Sequence, residues 1–306
     1  MLRYIVRRLL WMIPVLIFIS IVTFGLAHGV PGGPFDTEKK RPPEILANLE
    51  RYYGLDKPVY IQYLNYMGNI ITKFDFGPSL VQRGRTVNEI FAAHLPVSAQ
   101  LGVLALLVAL VIGIPLGIVA ALKQNTFWDY LGMGIAVFGV SVPNIVLGPL
   151  LIWIFALALG WFPVAGWGKP SQMVLPSIAL GLGSSAIIGR LTRASMLQVI
   201  REDYIRTARA KGLTERVIMV RHALKNAFIP VATVLGPMFA ALTTGTFVVE
   251  QIFAIPGMGK YFITSVTNRD YAVVMGTTLL YAVFLVIANL AVDITYAFLD
   301  PRIRYT

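Results

Sequence analysis

The sequence has no cysteine and only three histidines in 306 residues. Without cysteine the chain cannot form a disulfide or use a thiolate for metal or redox chemistry. His28, His94 and His222 lie far apart and lack the spacing of a metal site. The residues therefore indicate no metal and no cofactor. The lack of cysteine does not identify the compartment.

Charged residues are also scarce, at 13%, whereas hydrophobic residues make up 57%. A soluble domain would carry about 25% charged residues. Long apolar runs recur from end to end, as in a polytopic helical membrane protein. The net charge of +11 could suggest nucleic acid. However, the surplus Lys and Arg flank apolar runs, as the positive-inside rule requires, so we predict no nucleic-acid partner.

The apolar runs predict six transmembrane helices in an all-α protein. The third run is too long for a straight span and contains Pro143 and Pro149, which predict a kink or a tilt. Two short spans there would reverse the sidedness of everything that follows. The first run is longer than the apolar region of a signal peptide, so we favour an uncleaved helix over that alternative. The predicted spans are Leu9–Ala27, Gln100–Leu122, Leu131–Leu159, Val174–Ile188, Val231–Val249 and Val273–Phe298.

The segment from Arg190 to Lys225 is the most basic part of the chain, with nine Lys or Arg against three acids. Segments this rich in Lys and Arg remain in the cytoplasm. With six spans, this segment places both termini inside. A long basic inner segment is typical of a docking surface for a soluble partner.

Three domains follow from these spans: an N-terminal helix (1–28), an external segment (29–93) and a membrane core (94–299) that includes the inner loop 190–230. The external segment predicts one helix after Pro43, ended by Gly54, with Ile45, Leu49 and Tyr52 on its apolar face. A second helix is predicted after Pro58, with Tyr60, Leu64 and Met67 on its apolar face. The expected role is a folded cap without chemistry.

Small residues recur four apart in three spans and predict close helix packing. The alternative is that some of them line a pathway that needs room. The neutral polar residues of the middle spans are the best candidates to line such a pathway, because few ions occur there. The small-residue stripes are Gly113, Gly117 and Ala121; Gly181, Ser185 and Gly189; and Gly236, Ala240 and Thr244. The pathway candidates are Ser141, Asn144, Thr243 and Thr244.

The inner loop predicts two short helices joined at Gly212. The first is expected over Met196–Lys211, and Gly212 suits the left-handed exit from it. Thr214 is the expected N-cap of the second helix, which should end before Pro230. Such a pair would form a rigid knob that fits a cleft in a partner. The residues expected to couple to that partner are Arg206, Ala208, Gly212, Thr214, Val217, Val220, Arg221 and Leu224.

This loop resembles the signature of the permeases of ABC importers, and Ala208, Gly212 and Leu224 match its general form. The segments RTARAKGL and RHALKNAFIP resemble sequences of the subfamily that imports peptides and, in relatives, nickel. The segments YGLDKPVYIQY, DFGPSL, SVPN, EQIFAIPGMGKYF and VDITYAFLDPRIRY extend the resemblance over nearly the whole chain. The closest likeness is to the first of the two permeases of an oligopeptide importer.

The resemblance implies a type I ABC-importer core of five spans preceded by one extra helix, in the bacterial inner membrane. It also implies a complex with a second permease, two ATPase subunits and an extracytoplasmic peptide-binding protein. ATP would be hydrolysed by the partners, so this chain would not be an enzyme by itself. Gly257-Met258-Gly259-Lys260 lacks the glycine and the Ser/Thr of a phosphate loop, which agrees with that expectation.

Alternatives remain at this stage. Within the family, the substrate could be a dipeptide or nickel. Outside it, a stand-alone secondary transporter would be expected to show interrupted helices in both halves or a pair of intramembrane ions. Glu250, at the outer end of the fifth span, is either functional or an interfacial or capping group. Arg190 and Arg193 are expected to be snorkelling anchors.

Overall fold

The computed structural model describes residues 2–30, 32, 33, 35, 43–82, 84–244 and 246–299. Their secondary structure is helical, apart from one isolated β-bridge between Pro78 and Thr86. This confirms the all-α class. The helices are α1 (Leu2–Gly29), α2 (Pro43–Tyr53), α3 (Val59–Lys73), α4 (Val87–Leu122), α5 (Phe127–Ser141), α6 (Asn144–Leu151), α7 (Pro170–Val199), α8 (Asp203–Ala210), α9 (Glu215–Val217), α10 (Leu224–Thr244), α11 (Phe247–Ile252), α12 (Gly259–Thr267) and α13 (Tyr271–Leu299).

Five described helices are long and apolar enough to span a membrane, and a bent pair supplies a sixth span if it is counted as one. The pair is α5 with α6, which continues as a π-helix over Ile152–Ala158. It bends by 107° at Val142, whose backbone is extended (ψ 114°) before Pro143. A residue before proline disfavours the helical conformation, which explains the break. The predicted kink is confirmed. The third run is sharply bent, and it is not a straight helix that tilts.

One compact unit comprises residues 1–97 and 257–286. Within it, Phe24 of α1 and Met275 of α13 are buried together with the α3 residues Tyr63 and Met67. A second cluster joins the start of α4 to α12 and α13 through Val87 and Phe91. The helix predicted to begin at Gln100 thus begins at Val87, because its first turn has its own buried contacts.

The external helices α2 and α3 form where predicted, and Gly54 ends α2 at φ +69°. Their predicted apolar faces are only partly correct. Tyr52 is 81% exposed, and Tyr60 is 66% exposed. Of the predicted α3 face only Met67 packs, together with Tyr63, Tyr66 and Ile70. Both choices satisfy helical periodicity, and only the neighbouring α1 and α13 decide between them.

The second unit comprises residues 98–256 and 287–306. Its α4 and α7 approach closely because glycines face backbone. A Cβ added to Gly113 would lie 2.6 Å from the Ser185 carbonyl, and one added to Gly117 would lie 2.5 Å from the Gly189 carbonyl. A Cβ on Gly181 would lie 2.4 Å from the Ala105 carbonyl. These stripes therefore serve close packing, as small residues do between membrane helices.

Candidate coupling surface and translocation groove

The inner loop is divided differently from the single helix predicted over Met196–Lys211. Helix α7 runs to Val199, and α8 begins at Asp203 after Glu202, whose backbone is extended (ψ 148°). Because of this break, Ile205 and Ala208 lie in a buried cluster with Met196 and Ile218. The loop is therefore anchored to the membrane helices by its own small core. Of the predicted coupling residues, Ala208 belongs to this core.

Gly212 forms the predicted turn after α8, with φ +77°. Its N–H donates to the Arg209 carbonyl (2.9 Å). A Cβ at this position would meet nothing within 4 Å, so glycine is needed for backbone conformation and not for space. Thr214 occupies the N-cap position, but its side chain makes no capping hydrogen bond.

An ion pair that the sequence did not reveal bridges this turn. Arg209 Nε donates to Glu215 Oε1 (2.7 Å) and Arg209 Nη2 donates to Oε2 (3.3 Å). The Glu215 carboxylate raises the pKa of Arg209. Such a fork fixes the relative direction of two groups better than a single contact does. Helix α8 and the start of α9 are therefore braced across Gly212. The predicted coupling residue Arg206 only reaches Asp203 at 3.5 Å, with both side chains exposed.

Leu213, Val217 and Val220 form an exposed apolar surface just after the turn, which we call the coupling patch. Their side chains are 41%, 40% and 63% exposed. Leu213 precedes α9, Val217 ends it, and Val220 lies in the π-helical stretch that follows. Arg221 is exposed beside them, whereas the predicted contact residue Leu224 packs inward against the loop core. Leu213 is an exposed apolar residue outside the predicted set of coupling residues.

The prediction that the second helix ends before Pro230 is wrong. Glu215–Thr243 is one apolar helical element of 29 residues. It includes a π-helical stretch at Ile218–Ala223. Pro230 and Pro237 lie inside α10, as is tolerated in membrane helices. The coupling patch and the membrane part of α10 are therefore ends of one helical rod.

A groove of about 660 Å³ opens in the second unit beside the bend after α5. Its walls come from the α5–α6 bend, the middle of α7 and the C-terminal half of α10. Neutral groups line it, including the polar side chains of Asn144 and Ser184. The lining residues are Gly139, Val140, Val142, Pro143, Asn144, Leu180, Gly183, Ser184, Ile187, Val234, Pro237, Met238, Ala241 and Leu242.

The four pathway candidates have different placements. Asn144 lines the groove. Ser141 is exposed, and its hydroxyl donates to the Val137 carbonyl (2.8 Å). Thr243 is fully buried and packs against Gly102 of α4, away from the groove in this conformation. The Thr244 side chain lies outside the described residues.

Two ionisable side chains have partners that the sequence did not reveal. Glu250 is buried, and its Oε1 accepts hydrogen bonds from the hydroxyls of Ser98 and Thr246, both at 2.6 Å. Arg193 is not a snorkelling anchor. Its Nε and Nη2 donate to the two carboxylate oxygens of the buried Asp129 at 2.6 and 2.7 Å. This pair joins the start of α5 to α7.

Two family models match the chain. The first describes the inner membrane component of binding-protein-dependent transport systems and matches residues 113–305. The second describes the N-terminal region of such membrane components and matches residues 1–99. The chain belongs to this permease family. The family consists of membrane components of binding-protein-dependent transport systems.

Relatives extend the match to full length. The dipeptide transport system permease protein DppB of Bacillus subtilis is 49% identical over 99% of this chain and 98% of that protein. The oligopeptide transport system permease protein OppB of Salmonella typhimurium is 46% identical over the whole of both chains. A chain in an inward-facing structure of the MetNI methionine ABC transporter shares the fold. It has a TM-score of 0.57 and 19% identity, over 70% of this chain and 97% of that one.

Proposed function

We propose that this permease forms half of the translocation pathway of an ATP-driven peptide importer and couples to an ATPase subunit through the coupling patch. Its partners would be a second permease, two ATPase subunits and an extracytoplasmic peptide-binding protein. Both termini would lie in the cytoplasm. The names of the full-length relatives support peptides as the substrate class.

The observation that carries this proposal is the continuous helical rod from Glu215 to Thr243. One end carries the exposed residues Val217 and Val220, and the other end supplies Val234 and Met238 to the groove wall. At a rise of about 1.5 Å per residue, Val217 and Met238 are roughly 30 Å apart along the rod. A push on the coupling patch would therefore move the groove wall directly, without an intervening loop.

The chemistry of the groove also supports a peptide. A peptide backbone offers donors and acceptors whatever its sequence, and neutral polar groups such as Asn144 and Ser184 can meet them. The described lining contains no histidine or acidic residue, which are the ligands that a divalent metal would use. This favours peptides over nickel.

Site-specific cross-linking tests the coupling role. Because the chain has no cysteine, Val220→Cys introduces the single thiol. In the assembled complex it should cross-link to a cysteine placed in the facing cleft of the ATPase, with a yield that changes on ATP binding. Gln124→Cys, at an exposed position outside the coupling patch, is the control. Equal yields from the two positions would contradict the assignment.

Oligopeptides are the main substrate proposed, and dipeptides are the second candidate because the Bacillus subtilis relative is a dipeptide permease. Uptake of a radiolabelled dipeptide and a radiolabelled pentapeptide by the same reconstituted complex separates the two. Uptake of the dipeptide alone would replace the first candidate with the second.

A further inference from the structure

Helix α7 is covered on every side but one. From Leu175 to Met196 the exposed residues are Ile187, Arg190 and Ala194. Their spacing of three and four places them on one face of the helix. All other residues of this stretch are buried or half-buried. One narrow strip of an otherwise enclosed membrane helix is therefore open, and it carries a cation.

The open strip continues the groove. Gly183, Ser184 and Ile187 of α7 line the groove, and Arg190 follows Ile187 by one turn toward the inner end of the helix. The groove lining itself contains no ionisable side chain. Arg190 is thus the charged group next to the inner end of a neutral groove.

The charge of Arg190 is not required for packing α7 on α5, because the neighbouring Arg193 makes that contact. Arg193 serves that purpose through its fork with Asp129. Within the part of the chain that the structure describes, the Arg190 side chain has neither a hydrogen bond nor an ion pair. Arg190 does not itself line the groove, but an ionisable residue on a membrane helix one turn beyond a groove marks a candidate functional site.

We infer that Arg190 binds the C-terminal carboxylate of the peptide at the inner end of the groove, which rests on the proposed peptide function. A guanidinium matches a carboxylate with two parallel hydrogen bonds. Every linear peptide carries one such carboxylate whatever its side chains. A single arginine can therefore bind a group that unmodified linear peptides share.

The test uses the complete complex in proteoliposomes, with ATP sealed inside and the peptide-binding protein outside. One tripeptide is supplied as the free acid and as the C-terminal amide, each at a concentration that saturates the binding protein. The measured quantity is the ratio of the two uptake rates. Since the variants lie in the permease, selection by the binding protein is the same in every arm.

In the wild type the free acid should enter faster. Arg190→Gln should slow uptake of the acid and leave that of the amide unchanged, so that the ratio falls about two- to fivefold, the range of an exposed ion pair. Arg190→Lys should retain part of the preference, because it keeps the charge. Arg193→Met is the matched control and should change both rates equally, since Arg193 acts on packing.

Equal slowing of acid and amide in Arg190→Gln would overturn the inference. Failure of both Arg190 variants to assemble would also overturn it, because the residue would then belong to subunit packing. Wild-type complexes that move no peptide in either form would instead refute the proposed function, so the two failures are distinguishable.

Discussion

The buried ion pair between Asp129 and Arg193 gives the sharpest stability prediction. The Asp129 side chain is 3% exposed and the Arg193 side chain is 25% exposed. Arg193→Met leaves a buried carboxylate that, among the residues the structure describes, keeps the Asn125 N–H as its one remaining donor (2.9 Å). Removing one partner of a buried pair costs about 3–5 kcal/mol. Asp129→Asn should cost less, because the partly exposed guanidinium can reach solvent.

The double variant Asp129→Asn with Arg193→Met removes both charges and should recover most of the loss, since no unpaired charge stays buried. The two single effects should therefore be strongly non-additive. Thermal unfolding of the purified complex measures this. The Tm of Arg193→Met should fall clearly below that of the wild type, and the Tm of the double variant should lie between the two.

Arg206→Gln provides the matched control, because it breaks a pair with Asp203 in which both side chains are largely exposed. Exposed pairs contribute at most about 1 kcal/mol, so the Tm should hardly move. The reasoning fails if Arg193→Met and Arg206→Gln lower the Tm equally. It also fails if the double variant shows the full sum of the single losses.

Three further predictions concern function and topology. Gly212→Val should yield complexes that hydrolyse ATP without transport, or that fail to assemble, because a β-branched residue resists φ +77°; coupled wild-type transport by this variant would count against the turn. Asn144→Trp should block peptide uptake by filling the groove while basal ATP hydrolysis persists, and normal uptake would exclude Asn144 from the pathway. Single cysteines at Asn48 and Thr214 should react with an impermeant thiol reagent from opposite sides of the membrane; labelling from one side would refute the predicted topology.

The local elements were largely predictable because each depends on neighbours in the chain. Gly54 ends α2, Gly212 makes the left-handed turn, and Pro143 marks the bend between α5 and α6. In each case the backbone preference of one residue decides the outcome. Pro230 is the exception, since a long membrane helix continues through it.

The packing partners were not predictable by the same reasoning. Nothing in the periodicity of α3 distinguishes Tyr63 from Tyr60, and nothing near Arg193 indicates Asp129, which lies 64 residues away. Likewise the stripe of Gly113 and Gly117 predicts close packing but not the carbonyls of α7 that it meets. Such pairs depend on how the helices are arranged around one another.

The sequence by itself determined the class, the apolar spans, the basic inner loop and the family, because composition and short motifs carry that information. Only the tertiary structure decided that the coupling patch and the groove wall share one rod, that Thr243 packs against Gly102, and that Arg190 lies open while Arg193 is paired. The physical reason is burial. Whether a side chain packs against a neighbour, lines a groove or stays exposed as a charge depends on which neighbouring helix covers it. That covering is a property of the assembled helices.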